Sequence, residues 1–277
     1  MKLIENNPPQ VAKRRRPRDL ALPAVEAWAE HIALPNGLTF WLPSKQMRAA
    51  AEYVVKEIFV RRRYFRPGFA IQPGDTVVDI GANMGLFALW AAPQTPQGRV
   101  LAIEPSWVLD CLVQNARINR LDNVTAVPVA VGNDGEELEL VEYPGFNIVS
   151  HPKGCGPAWI TRLLIFLRYF RYRCPAVRVK APCQSLGTII EEHGLKNIHF
   201  LKVDCEGAEY EMFRHLAPDH WRRIERIAME FHELHPGDRH GELVSLMEQQ
   251  GFRVEIRKPL VEYYFMRFGE LWARRER

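Results

Sequence analysis

Apolar residues in the central part of this chain follow two alternating rhythms. Short runs such as "TVVDI" from Thr76, "VLAI" from Val100, "VTAVPVAV" (124–131), "AVRVKAPC" (176–183), "HFLKVDC" (199–205) and "RIAMEFH" (226–232) read as buried strands. Between them, Leu86–Ala92, Trp107–Asn119, Leu186–His193, the stretch from Glu209 and Glu242–Gln250 carry apolar positions at helical spacing. This alternation predicts an α/β fold, Rossmann-like, with a mostly parallel seven-stranded sheet covered by helices on both faces. Two further runs, "FRVEIRK" (252–258) and "EYYFMRF" (262–268), predict an antiparallel hairpin at one sheet edge, because so short a link cannot cross over. "ELELVEY" (137–143), after the turn "GNDG", predicts a hairpin partner for 124–131.

The chain ahead of Thr76 has another character. Prolines at 8, 9, 17, 23 and 35 break up any long element. Asn36-Gly37 predicts a turn before a short strand, and "MRAAAEYVVKEIFVRRRYF" from Met47 predicts a helix. Residues 1–70 are therefore read as a lead-in segment with a covering helix, and 71–270 as the main domain. An insert at about 144–175 interrupts that domain. Its arginines at 162, 168, 171 and 173 do not gather on one helical face, so a lid or substrate wall is expected rather than a membrane anchor.

Composition narrows the class. With 277 residues, 47% hydrophobic and 25% charged, the chain can bury one large core. No apolar run approaches the ~18 residues of a membrane span, and the N-terminus lacks the order of a secretory signal. Five cysteines without a C-x-x-C pair argue against a disulfide framework, so a cytoplasmic protein with free thiols is expected. The net charge of +4 includes basic clusters at 13–18 and 61–63. They lack the aromatic interleaving of stacking motifs, so a nucleic-acid partner is not expected.

Candidate chemistry begins at "VVDIGANMGLF" (77–87), a strand, a glycine turn and a helix. Glycine lets backbone approach a ligand closely. Glu104 ends the next strand about twenty residues on, where an acid can hold both ribose hydroxyls of a nucleoside. Dinucleotide sites use G-x-G-x-x-G to seat a pyrophosphate. Here the order is D-x-G-x-N-x-G, and Asp79 would oppose a phosphate while suiting a cationic ligand such as S-adenosyl-methionine. An NAD-linked oxidoreductase is the alternative that this spacing disfavours.

Taken together, "VDIGANMGLF", "AIEP", "NARIN" and "LKVDCEGAE" resemble the FkbM-type methyltransferases, a branch of the class I S-adenosyl-methionine-dependent fold, over roughly residues 52–257. The resemblance implies that Asp79, Gly81, Ala82, Asn83 and Gly85 line the methionine end of the cofactor and that Glu104 holds the ribose. It puts Ser106, Ala130 and Val131 near the adenine. Glu57 and Tyr64 resemble the family's upstream segment, with helix-surface roles as the alternative. The family's association with sugars, polyketides and other secondary metabolites implies O-methylation of a natural product. Its alternatives are N-methylation of a peptide acceptor or, in another class, a cofactor-binding scaffold without catalysis.

Open α/β sheets bind ligands beyond the carboxyl ends of their central strands. Asp204 ends one such strand, and Glu230 and His232 end the next, so they are expected to share a cleft with Glu206. Asp204 would face the methyl group's path, touching the cofactor as well. His232, whose ordinary pKa near 6.5 suits proton transfer, would take a proton from the acceptor. Glu209 reads equally well as a helix-terminus acid. A divalent metal on "HELH" (232–235) with Glu230 and Asp204 is conceivable, but H-x-x-H lacks zincin spacing, and no metal is expected.

Overall fold

The structure, a computed structural model, describes residues 29–142, 151–152, 177–234, 237–259, 263 and 267–276. Apart from 151–152, the expected insert lies outside these residues, as does the basic arm at 13–18.

The main sheet has seven strands: β3 (Thr76–Ile80), β4 (Arg99–Ile103), β5 (Val124–Val127), β10 (Phe200–Val203), β11 (Arg226–His232), β12 (Phe252–Arg257) and β13 (Phe268–Arg275). Their spatial order is β12-β13-β11-β10-β3-β4-β5. The five strands from β11 to β5 run parallel, and β13 is antiparallel to both neighbours. Helices α2 (Leu86–Ala91) and α3 (Leu109–Ile118) follow β3 and β4, while α4 (Leu186–Glu192), α5 (Glu209–Arg214), α6 (Pro218–Arg222) and α7 (His240–Gln249) come later. Alternate strand residues divide between two cores. Val77, Val100, Ala102 and Phe200 pack with α2 and α3, whereas Val78, Ile80, Leu101, Leu201 and Val203 pack with α4, α5 and α7.

Three expectations about strands need correction. The last strand is "FGELWARR", not 262–268; its buried Glu270 breaks the apolar pattern and disguises it. It still pairs antiparallel with β12, which is the outermost strand, so the expected antiparallel pair stands at that sheet edge, with β13 joining it to β11. The run 124–131 divides at Pro128, which has no N–H for a ladder. Its second part, β6 (Ala130–Val131), joins a separate four-stranded sheet with β7 (Glu137–Glu142), β8 (His151–Pro152) and β9 (Val177–Gln184). There β7 pairs antiparallel with β9, so 137–142 and 124–131 are not hairpin partners.

Ahead of the main sheet, β1 (Glu30–Ala33) and β2 (Thr39–Leu42) form a hairpin. It docks on α3 through asparagines that act as strand mimics. Thr39 N–H donates to Asn119 Oδ1 at 2.8 Å, and Trp41 N–H to Asn115 Oδ1 at 2.6 Å. The expected long helix is shorter: α1 (Arg48–Val55) passes into a π-helical turn over Lys56–Val60. Such turns are frequent at functional sites. Residues 61–65 then cross the sheet's carboxyl edge.

Candidate functional site

The turn from Gly81 to Gly85 is pressed against its surroundings. Gly81 has φ +71° and Gly85 φ +91°. A Cβ on Gly81 would stand 1.8 Å from the carbonyl oxygen of Asp204, and one on Gly85 2.8 Å from Cγ of Leu112. Only glycine allows β3's turn to touch the end of β10 and α3. Asn83 is also left-handed, at φ +49°. Asn115 Nδ2 donates to Met84 O at 3.2 Å and to Trp41 O at 3.2 Å, tying the turn to the β1–β2 hairpin.

Every amide of this turn is engaged within the protein. Gly81 and Ala82 N–H donate to Ile103 O, Asn83 N–H to Glu104 Oε2, Met84 N–H to Asn83 Oδ1 and Gly85 N–H to Ala82 O. A pyrophosphate cradle needs such amides free. Their engagement counts against the dinucleotide alternative.

Glu104, buried at the end of β4, also accepts from Ser106 N–H at 3.0 Å and Ser106 Oγ at 2.5 Å. Burial raises its pKa, and the donors from Ser106 and Asn83 oppose that rise. A carboxylate has about four acceptor positions, so with three donors in place this one retains capacity for a hydroxyl. Ala130 and Val131 are buried on the small sheet's parallel pair with Cys183 and Gln184.

Asp79 sits deeper than a ligand-lining role requires. It is fully buried beside Lys202, its register partner on β10. Lys202 Nζ is 3.1 Å from Asp79 Oδ1 and 3.9 Å from Asp204 Oδ2, and it donates to Gly81 O at 2.8 Å. The lysine–aspartate approach is charge contact with poor hydrogen-bond geometry, and neither Asp79 oxygen has a well-aligned donor. Burial raises the Asp79 pKa against the pull of Lys202. Burial likewise works against the Lys202 charge, but Asp79 and Asp204 prevail and raise its pKa.

The acids beyond β10 and β11 do meet. Asp204 follows β10 immediately, and Glu206 is held at φ +53°. A non-glycine residue in that region stores strain of a kind that clusters at working sites. Glu209 is fully buried, accepts from Gly207 N–H at 2.9 Å and lies 2.8 Å from His232 Nδ1. The other ring nitrogen, Nε2, is 3.7 Å from Glu206 Oε2. Burial disfavours the imidazolium, but Glu206 and Glu209 outweigh it and push the His232 pKa well above its ordinary value. Glu206 is pushed up to about 8, first by withdrawal from water and then, against His232, by Asp204, Glu209 and Glu230. Its side chain remains 38% exposed, so water relieves part of that withdrawal. The histidine therefore holds its proton more firmly than its ordinary pKa suggested. Burial also pushes the Cys205 thiol well above the usual range, which disfavours a thiolate nucleophile.

Two residues ahead of the domain reach the same place. Tyr64 Oη is 3.0 Å from Glu230 Oε1 and 3.2 Å from Asp204 Oδ2, and Arg63 donates to Glu230 Oε1 at 2.8 Å. Asp204, Glu230 and His232 offer ligand atoms within 4.8 Å of one another, a set able to hold a divalent ion. Their existing partners already compensate much of the charge. His235 of the "HELH" sequence lies outside the described residues.

Sequence reasoning missed Lys202, Arg63 and the depth of Glu209. Lys202 left a signal, being a cation inside the apolar run "FLKV". Arg63 left none, because it is one of three consecutive arginines and only folding distinguishes it.

The family model described as the Methyltransferase FkbM domain matches residues 79–254, more than half of the chain. A relative named 31-O-demethyl-FK506 methyltransferase FkbM, from Streptomyces tacrolimicus, is 28% identical over 81% of this chain and 89% of its own length. Methyltransferase sdnD from Sordaria araneosa is 28% identical over 82% of this chain and 90% of its own. Among solved structures, Methyltransferase FkbM from Methylobacillus flagellatus KT aligns with a TM-score of 0.45 at 15% identity, covering 79% of this chain and 47% of that one.

Proposed function

The chain belongs to the FkbM methyltransferase family, and from that premise we propose that it moves a methyl group from S-adenosyl-methionine to an oxygen of a secondary metabolite. The observation that supports this reading is the close approach of Gly81 to the Asp204 carbonyl, which sets the glycine turn against the strand end that carries the acids. The site fits the cofactor in two respects. Glu104 keeps acceptor capacity for ribose hydroxyls, and carboxylates crowd the other side, where a cation is welcome. Ser106, Ala130 and Val131 are assigned to the adenine side, and Asn83 with the turn backbone to the methionine side. Asp79 acts from beneath, through Lys202 and the Gly81 carbonyl.

Bound S-adenosyl-methionine supplies an electrophilic methyl on a sulfonium. The protein's part is to hold the acceptor in near-attack geometry and take its proton. His232, oriented by Glu209, receives that proton at Nε2, with Glu206 beside it and Asp204 and Glu230 facing the methyl path. The name of the Streptomyces relative, which specifies an O-methyl position in that protein's product, supports an oxygen acceptor here. Incubation with 13C-methyl-labelled cofactor and a panel of hydroxylated polyketides, sugars and peptides tests it. A product methyl resonance in the methoxy region is expected; an N-methyl resonance would replace this reading with amine methylation.

A pH prediction follows from the two raised groups. His232 accepts a proton only when neutral, so the acidic limb of kcat/KM should lie higher than an ordinary histidine would place it. The Glu206 carboxylate favours the imidazolium, so Glu206→Gln should move that limb down by about one pH unit. A limb that stays in place would show that Glu206 and His232 do not share the proton.

A further inference from the structure

Glu230 and Glu270 stand directly opposite each other on the antiparallel neighbours β11 and β13. Like charges in that relation repel. The clamp between them comes from outside the family-matched region 79–254: Arg63 lies 2.8 Å from Glu230, 3.1 Å from Glu270 and 2.6 Å from Glu57. Glu57 is also bridged by Arg61, and Glu270 by Arg257. Glu230 differs. Among the described residues its donors are Arg63 and the Tyr64 hydroxyl, and that hydroxyl also reaches Asp204.

Anchoring alone does not require these charges. Tyr64 already packs edge-on against Phe87, Phe65 against Trp90, and Ile58 is buried. Placing a guanidinium at 9% exposure carries a desolvation cost that apolar residues of similar volume avoid. The Tyr64 hydroxyl keeps its proton, because burial and then Asp204 and Glu230 push its pKa well up, and it therefore serves as a donor.

We propose that Arg63 and Tyr64 are positioning residues, which hold Glu230 and Asp204 as a fixed, charged pair at the methyl path. The segment before the matched domain is thus a working part of the site. This rests on the methyltransferase reading above. The groups facing Glu230 are Lys202 from β10, Asp204 and Glu206 from the turn after it, Arg63 and Tyr64 from the crossing segment, His232 from its own strand and Glu270 from β13. Burial and Asp204 raise the Glu230 pKa, while Arg63 and His232 hold it down. Removing the guanidinium should let Glu230 take a proton more readily.

The test needs no acceptor. The Glu230 carboxyl, labelled with 13C and assigned through Glu230→Gln, is titrated by NMR in the parent protein, Arg63→Met, Arg63→Lys and Tyr64→Phe. Affinities for S-adenosyl-methionine and its neutral demethylated product are measured calorimetrically alongside. Arg63→Met should raise the Glu230 midpoint by about one pH unit, and Arg63→Lys by clearly less. Tyr64→Phe, which keeps the ring packing, should weaken the cationic cofactor about 3- to 10-fold more than the neutral product, the loss of one hydrogen bond at the pair. An unmoved midpoint and an unchanged affinity ratio in folded variants would overturn the proposal and leave the cofactor reading intact. Equal weakening of both ligands, with no rescue by Arg63→Lys, would overturn it in favour of a purely structural anchor. A parent protein that binds neither ligand would overturn the underlying reading, and this proposal with it.

Discussion

Lys202→Met is expected to destabilise the protein by about 3–5 kcal/mol, because it leaves the buried Asp79 charge without its cation. In a domain of this size that corresponds to a Tm lowered by roughly 6–20 °C. Methionine matches the lysine stem, so lost packing contributes little. The same change frees the carbonyls of Ile80 and Gly81 that Lys202 holds, and cofactor affinity should fall as well. The double variant Asp79→Asn/Lys202→Met should recover more than half of the stability, since both charges then leave together. Chemical denaturation of the parent and these two variants checks this. A single Lys202→Met cost below about 1 kcal/mol, the scale of an exposed pair, would contradict the buried-pair account.

His232→Ala has the largest expected effect on turnover. Loss of a positioned general base lowers kcat by about 10²- to 10⁴-fold. Cofactor affinity should stay within a few-fold, because the ring contacts Glu209 and Glu206 and is assigned to the acceptor side. Glu209→Gln should be milder, as the amide still reaches the ring but no longer favours the imidazolium. A kcat drop with cofactor binding intact marks an interaction made in the transition state. Parent-rate turnover by His232→Ala would remove the base assignment. Chelation would then distinguish a metal on Asp204, Glu230 and His232 from positioning alone.

The regular parts of this fold were legible because their residues obey one rule at a time. Thr76–Ile80, Arg99–Ile103 and Phe200–Val203 are buried on both faces and read as apolar runs. The glycine turn and Glu104 were legible through spacing, since a tight turn and a strand-end acid leave fixed signatures. Phe268–Arg275 was missed because Glu270 is buried only by virtue of Arg63 and Arg257, which lie far off in sequence or on another strand. Val177–Gln184 was legible as a strand, but its place in the small sheet depends on pairings that no local pattern encodes. The candidate site divides in the same way. Asp204, Glu206, Glu230 and His232 announced themselves as polar groups ending apolar strands. Glu209 looked like an ordinary first-turn acid until the fold set it against His232. Lys202 and Arg63 serve buried carboxylates supplied by other strands, and such pairing is visible only in three dimensions.

The central claim is that the glycine turn, Glu104 and the acid–histidine group form one cleft for S-adenosyl-methionine. Isothermal calorimetry of the parent protein with the cofactor and with its demethylated product tests it most directly. Saturable binding of both is expected, weakened roughly 10- to 150-fold by Glu104→Ala, which removes a charged partner of the ribose. Absence of binding by either ligand, with circular dichroism showing a folded protein, would contradict the account.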